Sequence, residues 1–207
     1  MRDSSSAIIA ALAAAPRGRI APRQLVWITA KKRSDGSGAS FGFWSERLPV
    51  TLDVIGGTDG VTVTRTYQAD GALQSVDQLV LASTIAVRTA SFTLSLIHPT
   101  VKQLWGLYRL KMAKVEIHRV PLDTVTNLPV APAHCRFIGR VDTAPKTRGT
   151  PGQAGSLIIK CVSSTVGLTV INPAKRSDET QKLRSGDRHS QYADVVGGWI
   201  VPFGESS

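Results

Sequence analysis

The chain has 207 residues, 42% of them hydrophobic, and a formal net charge of +10. That is enough apolar material for one large domain, or for a domain with an appended arm, and no apolar run is long enough to cross a bilayer as a helix. Two cysteines, Cys135 and Cys161, are too few for a disulfide-stapled scaffold or for zinc or iron–sulfur ligation. Both fall in apolar strand patterns and are expected as buried free thiols, with a single bridge between neighbouring strands as the alternative.

In chain order, the first element is a short helix around Ala7 to Ala15, with Ile8, Ile9 and Leu12 on one side and Ser4 to Ser6 as caps. Asp3 and the serines replace the basic start of a secretory signal, so the helix is expected to be retained. Pro16 to Pro22 is a basic linker. Leu25–Thr29 and Phe41–Trp44 read as a hairpin across the turn Ser34–Gly38. Val61–Tyr67 alternates at period two, placing Val61, Val63 and Tyr67 on one side. Further strands are expected at Val76–Ala82 and Ala90–Leu96, with Asp70-Gly71 as the turn before them.

One interior helix follows. Pro99 suits its first position, and Val101, Leu104, Trp105 and Tyr108 share a face, leaving Lys102, Arg109 and Lys111 outside. Strands resume at Val115–Val120, Arg136–Val141 and Leu157–Val162, separated by loops at Pro121–Pro132 and Ala144–Gly155, the second without anchor residues. Near the end, Asp178 with Gln181 has capping-box spacing, and Asp187 is placed to cap another helix anchored by Tyr192, Val195 and Val196. The implied architecture is all-β dominated: an antiparallel β-sandwich or split β-barrel with one packed interior helix and helical N- and C-terminal arms. The divisions are an N-terminal helix and linker (1–22), a core (23–171) and a C-terminal arm (172–207).

The chemistry-bearing residues form no recognisable active site. His98, His118, His134 and His189 are scattered, there is no G-x-S-x-G elbow, and Gly149–Gly155 is neither a P-loop nor a dinucleotide fingerprint. No enzymatic activity and no cofactor are expected. The positive charge is uneven: Arg17, Arg19, Arg23, Lys31, Lys32 and Arg33 come with no acid between them, as do Arg88, Lys102, Arg109, Lys111 and Lys114. Solvated faces, an acidic protein partner and nucleic acid are all compatible with such runs. Aromatics are only 6% of residues, and Phe41, Phe43 and Trp44 beside Arg47 are the best candidate for a base-stacking platform, with core packing as the other reading.

Taken together, several segments resemble a known family. These are Trp27, Asp35-Gly36, Gly42-Phe43-Trp44, Val50-Thr51-Leu52-Asp53-Val54, Tyr67, Gly71, Pro99, Val101, Val115-Glu116-Ile117-His118-Arg119 and Phe137-Ile138-Gly139-Arg140-Val141-Asp142. The run from Arg176-Ser177-Asp178 through Gly186-Asp187-Arg188 to Tyr192-Ala193-Asp194 closes the series. In order and spacing they resemble the minor tail proteins of siphovirus-like phages, prophages and gene-transfer-agent-like particles, of the tail-tip hub and distal-tail kind.

The resemblance implies a structural virion protein, made in the host bacterial cytoplasm and located at the tail tip or baseplate. It would assemble with itself as a trimeric or hexameric ring. The ring would join the tail tube protein to the hub and receptor-binding proteins, with no membrane insertion and with DNA met only in transit. Some hub relatives carry a cysteine-ligated iron–sulfur cluster; the cysteine set it needs is not present here. Arg176, Asp178, Gln181, Arg184, Asp187, Arg188 and Tyr192 are the expected intersubunit residues, with Arg184 and Arg188 facing a neighbour's carboxylates. A basic nucleic-acid-binding β module is the alternative, and a secreted carbohydrate-binding or hydrolytic sandwich a third.

Overall fold

The computed structural model describes residues 6–15, 21–79, 86–123, 126–149, 154–169, 177–193, 195–198 and 204. It divides into two compact units, Met1–Leu168 and Thr169–Ser207. In chain order the first unit contains α1 (Ser6–Ala14), β1 (Ala21–Lys32), β2 (Gly38–Trp44), β3 (Val50–Ile55), β4 (Thr62–Tyr67), β5 (Leu73–Val76) and β6 (Thr89–Ser95). After these come α2 (Pro99–Leu107), β7 (Tyr108–Leu122), β8 (His134–Thr143), β9 (Lys146–Thr147) and β10 (Ser156–Ser163). The protein is mostly antiparallel β, with a curled, half-barrel sheet and a few short helices. The main sheet runs β2-β1-β7-β8-β10-β6-β5, with β9 added to β10, while β3 and β4 form a separate hairpin.

The sheet is central because β1 and β7 are apolar on both faces. Val26, Ile28 and Ala30 of β1 and Val115 and Ile117 of β7 face one core, with Phe43, Phe92, Leu94, Phe137, Leu157 and Ile159. Leu25 of β1 and Val120 and Leu122 of β7 face the other, with Trp44, Leu52, Val54 and Tyr67. Alternating residues therefore point into alternate cores, and the sequence Leu25-Val26-Trp27-Ile28 has no solvent side. Each large aliphatic or aromatic side chain so buried contributes roughly 1.5–3 kcal/mol.

The β3–β4 hairpin covers the second face at one end. On one side, Gln68 N–H donates to Gly42 O at 2.8 Å and Trp44 N–H to Gln68 O at 3.0 Å. On the other, Ile55 N–H donates to Ala133 O and Ala133 N–H to Asp53 O, both at 2.9 Å. The hairpin is thus stitched to β2 and to the residue leading into β8. Its crossing is close: a Cβ on Gly42 would lie 2.6 Å from Thr66 O and 2.9 Å from the Trp27 ring. The hairpin tip runs past the core, so Val61 and Val63 are 56% and 41% exposed while Tyr67 is fully buried. The three share one side of the strand, as its alternation implies, but only Tyr67 reaches the core.

Helix α2 seals the first core through Val101 and Leu104, both fully buried. Pro99 occupies the start as expected, and His98 caps it, its Nδ1 accepting from Thr100 N–H at 3.3 Å. The apolar face is narrower than its periodicity implies. Tyr108 already turns extended as the first residue of β7, which places Arg109 and Lys111 on that strand rather than on the helix. Trp105 lies under Lys146 Nζ, 4.3 Å from the ring centroid, so the loop after β8 has an anchor that the sequence does not announce. Arg33 donates to Tyr108 O at 3.0 Å and Trp105 O at 3.4 Å, occupying carbonyls left free at the helix end.

Two further expectations shift. The strand expected at Val76–Ala82 falls earlier, at Leu73–Val76, and residues 80–82 lie outside the described set. The supposed stacking platform is core: Phe43 is fully buried, Phe41 and Trp44 nearly so, and Trp44 Nε1 donates to Leu48 O at 2.8 Å.

The crossing at Gly42 predicts a steep cost for any side chain there. Gly42→Ala should lower unfolding free energy by about 3 kcal/mol in urea denaturation, because backbone rather than a flexible side-chain tip must move. Gly106→Ala, in α2 where a Cβ would meet nothing within 4 Å, should instead raise it by about 0.5–1 kcal/mol. Equal effects at the two positions would contradict the crossing.

Candidate functional site

Beneath the β3–β4 hairpin lies a cluster of polar groups in an otherwise apolar core. Glu116 follows Val115 on β7 and points toward the hairpin. Its Oε2 accepts from Arg65 Nη1 at 2.7 Å, and both side chains are largely buried. The Arg65 guanidinium also stacks on Trp27, 4.8 Å from the ring centroid, and Trp27 meets Tyr67 edge to face at 5.5 Å. His118, two residues along β7 and fully buried, has Nε2 3.1 Å from Ile55 O and 3.5 Å from Glu116 Oε2. A carbonyl only accepts, so Nε2 carries a proton and donates to Ile55 O.

Cys135 pairs directly opposite His118 across β7 and β8. Glu116, His118 and Cys135 are therefore neighbours, although the sequence separates them and places Cys135 next to His134. Their chemistry is that of a packed core. Burial lifts the Cys135 thiol to about 11, and its Sγ donates to Phe137 O at 3.4 Å. An activated thiol needs the opposite shift and a base with a free nitrogen facing it. Burial alone lifts Cys161 to about 12, and both cysteines are free. Burial also lifts the Tyr67 phenol to about 12, against the pull of Arg65, and holds His118 below the ordinary histidine value, against the pull of Glu116. Among the described residues, no three of His, Cys, Asp and Glu converge in a way that could hold a metal ion.

The residues expected to form intersubunit contacts lie in the second unit, except that Arg176 falls outside the described residues. Helix α3 (Asp178–Lys182) begins one residue earlier than expected: Ser177, not Asp178, is its cap, with Ser177 Oγ accepting from Thr180 N–H at 3.4 Å. Asp178 instead sits in the first turn, where its charge complements the helix dipole. Arg188 Nη2 donates to Asp178 Oδ2 at 3.0 Å and Lys182 Nζ lies 3.2 Å from the same oxygen. The Arg188 bond first, and then Lys182, holds the Asp178 carboxyl below the usual aspartate range.

Gln181 Oε1 accepts from Ser190 N–H at 2.8 Å. Asp187 Oδ1 accepts from His189 N–H at 3.0 Å and starts a series of turns with i→i+3 bonds rather than a second α-helix. Thus Asp178, Gln181, Asp187 and Arg188 organise their own segment, whereas Arg184 and Tyr192 are exposed. None of the described residues from 169 onward is buried. Leu183 is 85% exposed and Tyr192 57%.

No protein-family model matches the chain, and no curated protein matches it in sequence.

Two outcomes follow from the buried cluster. Removing one member of a buried ion pair leaves the other charge without compensation. Glu116→Gln should therefore cost about 3 kcal/mol in chemical denaturation, and Arg65→Met/Glu116→Met should recover a large part of that loss. A double variant no better than the single one would mean that Arg65 does not depend on Glu116.

The second outcome concerns pH. His118 has a folded pKa below its unfolded one, so its contribution is complete above the unfolded value and is lost as pH falls toward the folded value. The urea midpoint should drop between about pH 7 and pH 5. The drop should shrink in His118→Leu, and an unchanged slope would assign it to other groups.

Proposed function

We propose that the chain is a structural subunit of a phage tail tip, acting by ring assembly between the tail tube and the hub that carries the receptor-binding proteins. The observation that supports this most directly is the second unit. Asp178, Gln181, Asp187 and Arg188 bond within it, yet none of its described residues is buried, and Leu183 and Tyr192 are exposed large side chains. A segment bonded within itself whose described apolar residues stay in water is suited to docking on a neighbour. Helix α1 has the same character: it buries none of its residues, and Ile9 and Leu12 are exposed. In this reading both termini are helical arms on a split-barrel core.

The sheet adds a second support. Among the described residues it ends in β2 on one side and β5 on the other, and no described strand pairs with the outer edge of β5 or with the Gly38–Phe41 part of β2. Closed rings of identical subunits remove such edges by joining them around an axis. The resemblance of the ordered segments from Trp27 to Tyr192 to tail-tip proteins is what supports this location.

Immunogold labelling of tailed particles with an antibody to the chain tests the location: gold confined to the distal tail end is expected, and intact particles without the chain would overturn the proposal. Deleting residues 173–207 should leave a folded core, judged by thermal melting, that fails to enter particles. Leu183→Asp/Tyr192→Asp should reduce incorporation at least tenfold with the melting temperature unchanged. Normal incorporation of both variants would sink the docking role of this segment.

A further inference from the structure

The face of the sheet that the β3–β4 hairpin covers at one end has no such cover at the other among the described residues. Along β1 this face carries Leu25 and Trp27, then Thr29 and Lys31; along β7 it carries Leu122, Val120, His118 and Glu116, then Lys114. Beyond the hairpin it opens into a groove of about 720 Å³ whose lining includes Lys31, Arg109, Lys111, Lys114 and Arg140 and no carboxylate. All five basic residues are exposed, and among the described residues none of them makes an ion pair. Asp35, in the adjoining β1–β2 turn, is engaged by Lys32 and Ser37.

Two features show that this charge is placed against the fold's own preference. First, Lys31 lies directly opposite Arg109 across β1 and β7, and Lys114 directly opposite Arg140 across β7 and β8. Like charges in directly opposite positions repel, and a protein selected only for stability would separate them or add an acid. Second, β7 bulges here: between the pairs Thr29–Lys114 and Lys31–Arg109, β1 contributes only Ala30, whereas β7 contributes Leu110 to Ala113. Met112, in that bulge, has φ of 65°, a left-handed conformation that a methionine rarely adopts. Bulges re-aim side chains, and this one brings Arg109 and Lys111 to the same groove as Lys114.

We infer that this groove is a binding site for the phosphate backbone of double-stranded DNA. Lys31 and Arg140 stand two strand spacings apart, and Lys31 and Lys114 two residues apart along the sheet, so the cluster spans about 12 Å. That distance covers three to four phosphates of one strand, counted at about 3.4 Å along the duplex axis. Lysine, which supplies three of the five charges, suits phosphate neutralisation and is depleted at protein–protein interfaces. Among the described residues Met112 is the one large apolar side chain in the lining, so an acidic protein would find little anchor. Phe41, Phe43 and Trp44 are buried, which leaves no stacking platform near Arg47 and favours a duplex over a single strand. Backbone contacts alone carry no sequence information.

The site stands on different observations from the ring proposal and is read on the isolated protein. Fluorescence anisotropy of a labelled duplex of mixed sequence, titrated with the purified full chain at several salt concentrations, is the test. If about three to four phosphates are neutralised, log Kd should change with log salt by a slope of about 3. Lys114→Gln/Arg140→Gln should lower it by about 1–2 and weaken binding equally for unrelated sequences. Lys102→Gln/Lys160→Gln removes the same charge from exposed positions that do not line the groove and should leave the slope at its parent value.

Because the first pair relieves a repulsion, its melting temperature should be no lower than the parent's. Should it fail to fold, Lys31→Gln/Arg109→Gln asks the same question. Equal slopes for groove and control variants, absence of binding at low salt, or displacement of the duplex by polyglutamate at matched charge would each overturn the inference.

Discussion

Strands β1 and β7 lie side by side and have to satisfy two cores at once. This constraint organises the rest of the first unit. A strand with one wet face can exchange polar residues freely on that face, but Leu25, Val26, Ile28, Val115, Ile117 and Val120 have no such freedom. The curl of the sheet toward β10, β6 and β5, together with α2, covers one set; the β3–β4 hairpin covers the other. Neither cover stands alone, because an isolated two-stranded hairpin is marginal in water. The hairpin persists because its edges are hydrogen-bonded to Gly42 and Ala133 and because Tyr67, Leu52 and Val54 supply apolar surface to the face it closes.

The same cover explains the distribution of charge. Where the hairpin lies over β7, an inward-facing acid must be neutralised, and Glu116 is met by Arg65, which also rests on Trp27. Where the hairpin stops, the next position on that face is Lys114, and no acid accompanies it. A continuous face therefore changes from apolar, to paired charge, to unpaired positive charge over the length of one strand. The buried pair adds little net stability beyond what apolar residues would supply, since desolvation offsets the attraction. Its effect is on register: slipping β4 by one residue would move Arg65 to the outer face and leave Glu116 uncompensated.

Much of this was legible in the sequence where period and burial coincide. The strands around Leu25–Thr29, Phe41–Trp44, Ala90–Leu96 and Leu157–Val162, and the helix opened by Pro99, follow from alternation, turns and the missing proline N–H. Three things were not. The depth of each core is a tertiary property, so Val61 and Val63 carry the right pattern yet project past the hairpin's support. The bulge at Met112 breaks the period of β7, and no glycine marks it, so Arg109 and Lys111 read as helix surface. The Arg65–Glu116–His118 cluster left one local signal, an acid set between Val115 and Ile117 and two residues before a histidine. Its partner lies 51 positions away and is joined only by the fold.

In the second unit, Asp178, Gln181 and Arg188, expected at a subunit contact, also bond to groups of their own segment and define its shape. Arg188 is exposed, and a pair of that kind contributes little to stability, so exchanging it for a neighbour's carboxylate would gain almost nothing. Burying Leu183 and Tyr192 would gain far more, because each still carries most of its apolar surface in water. On the ring reading, affinity then comes from these apolar side chains, while the internal charges lower the ordering cost of binding by fixing the segment in advance. Arg184, exposed beside Leu183, is placed at the rim of such a contact, where a charge governs encounter and orientation more than strength.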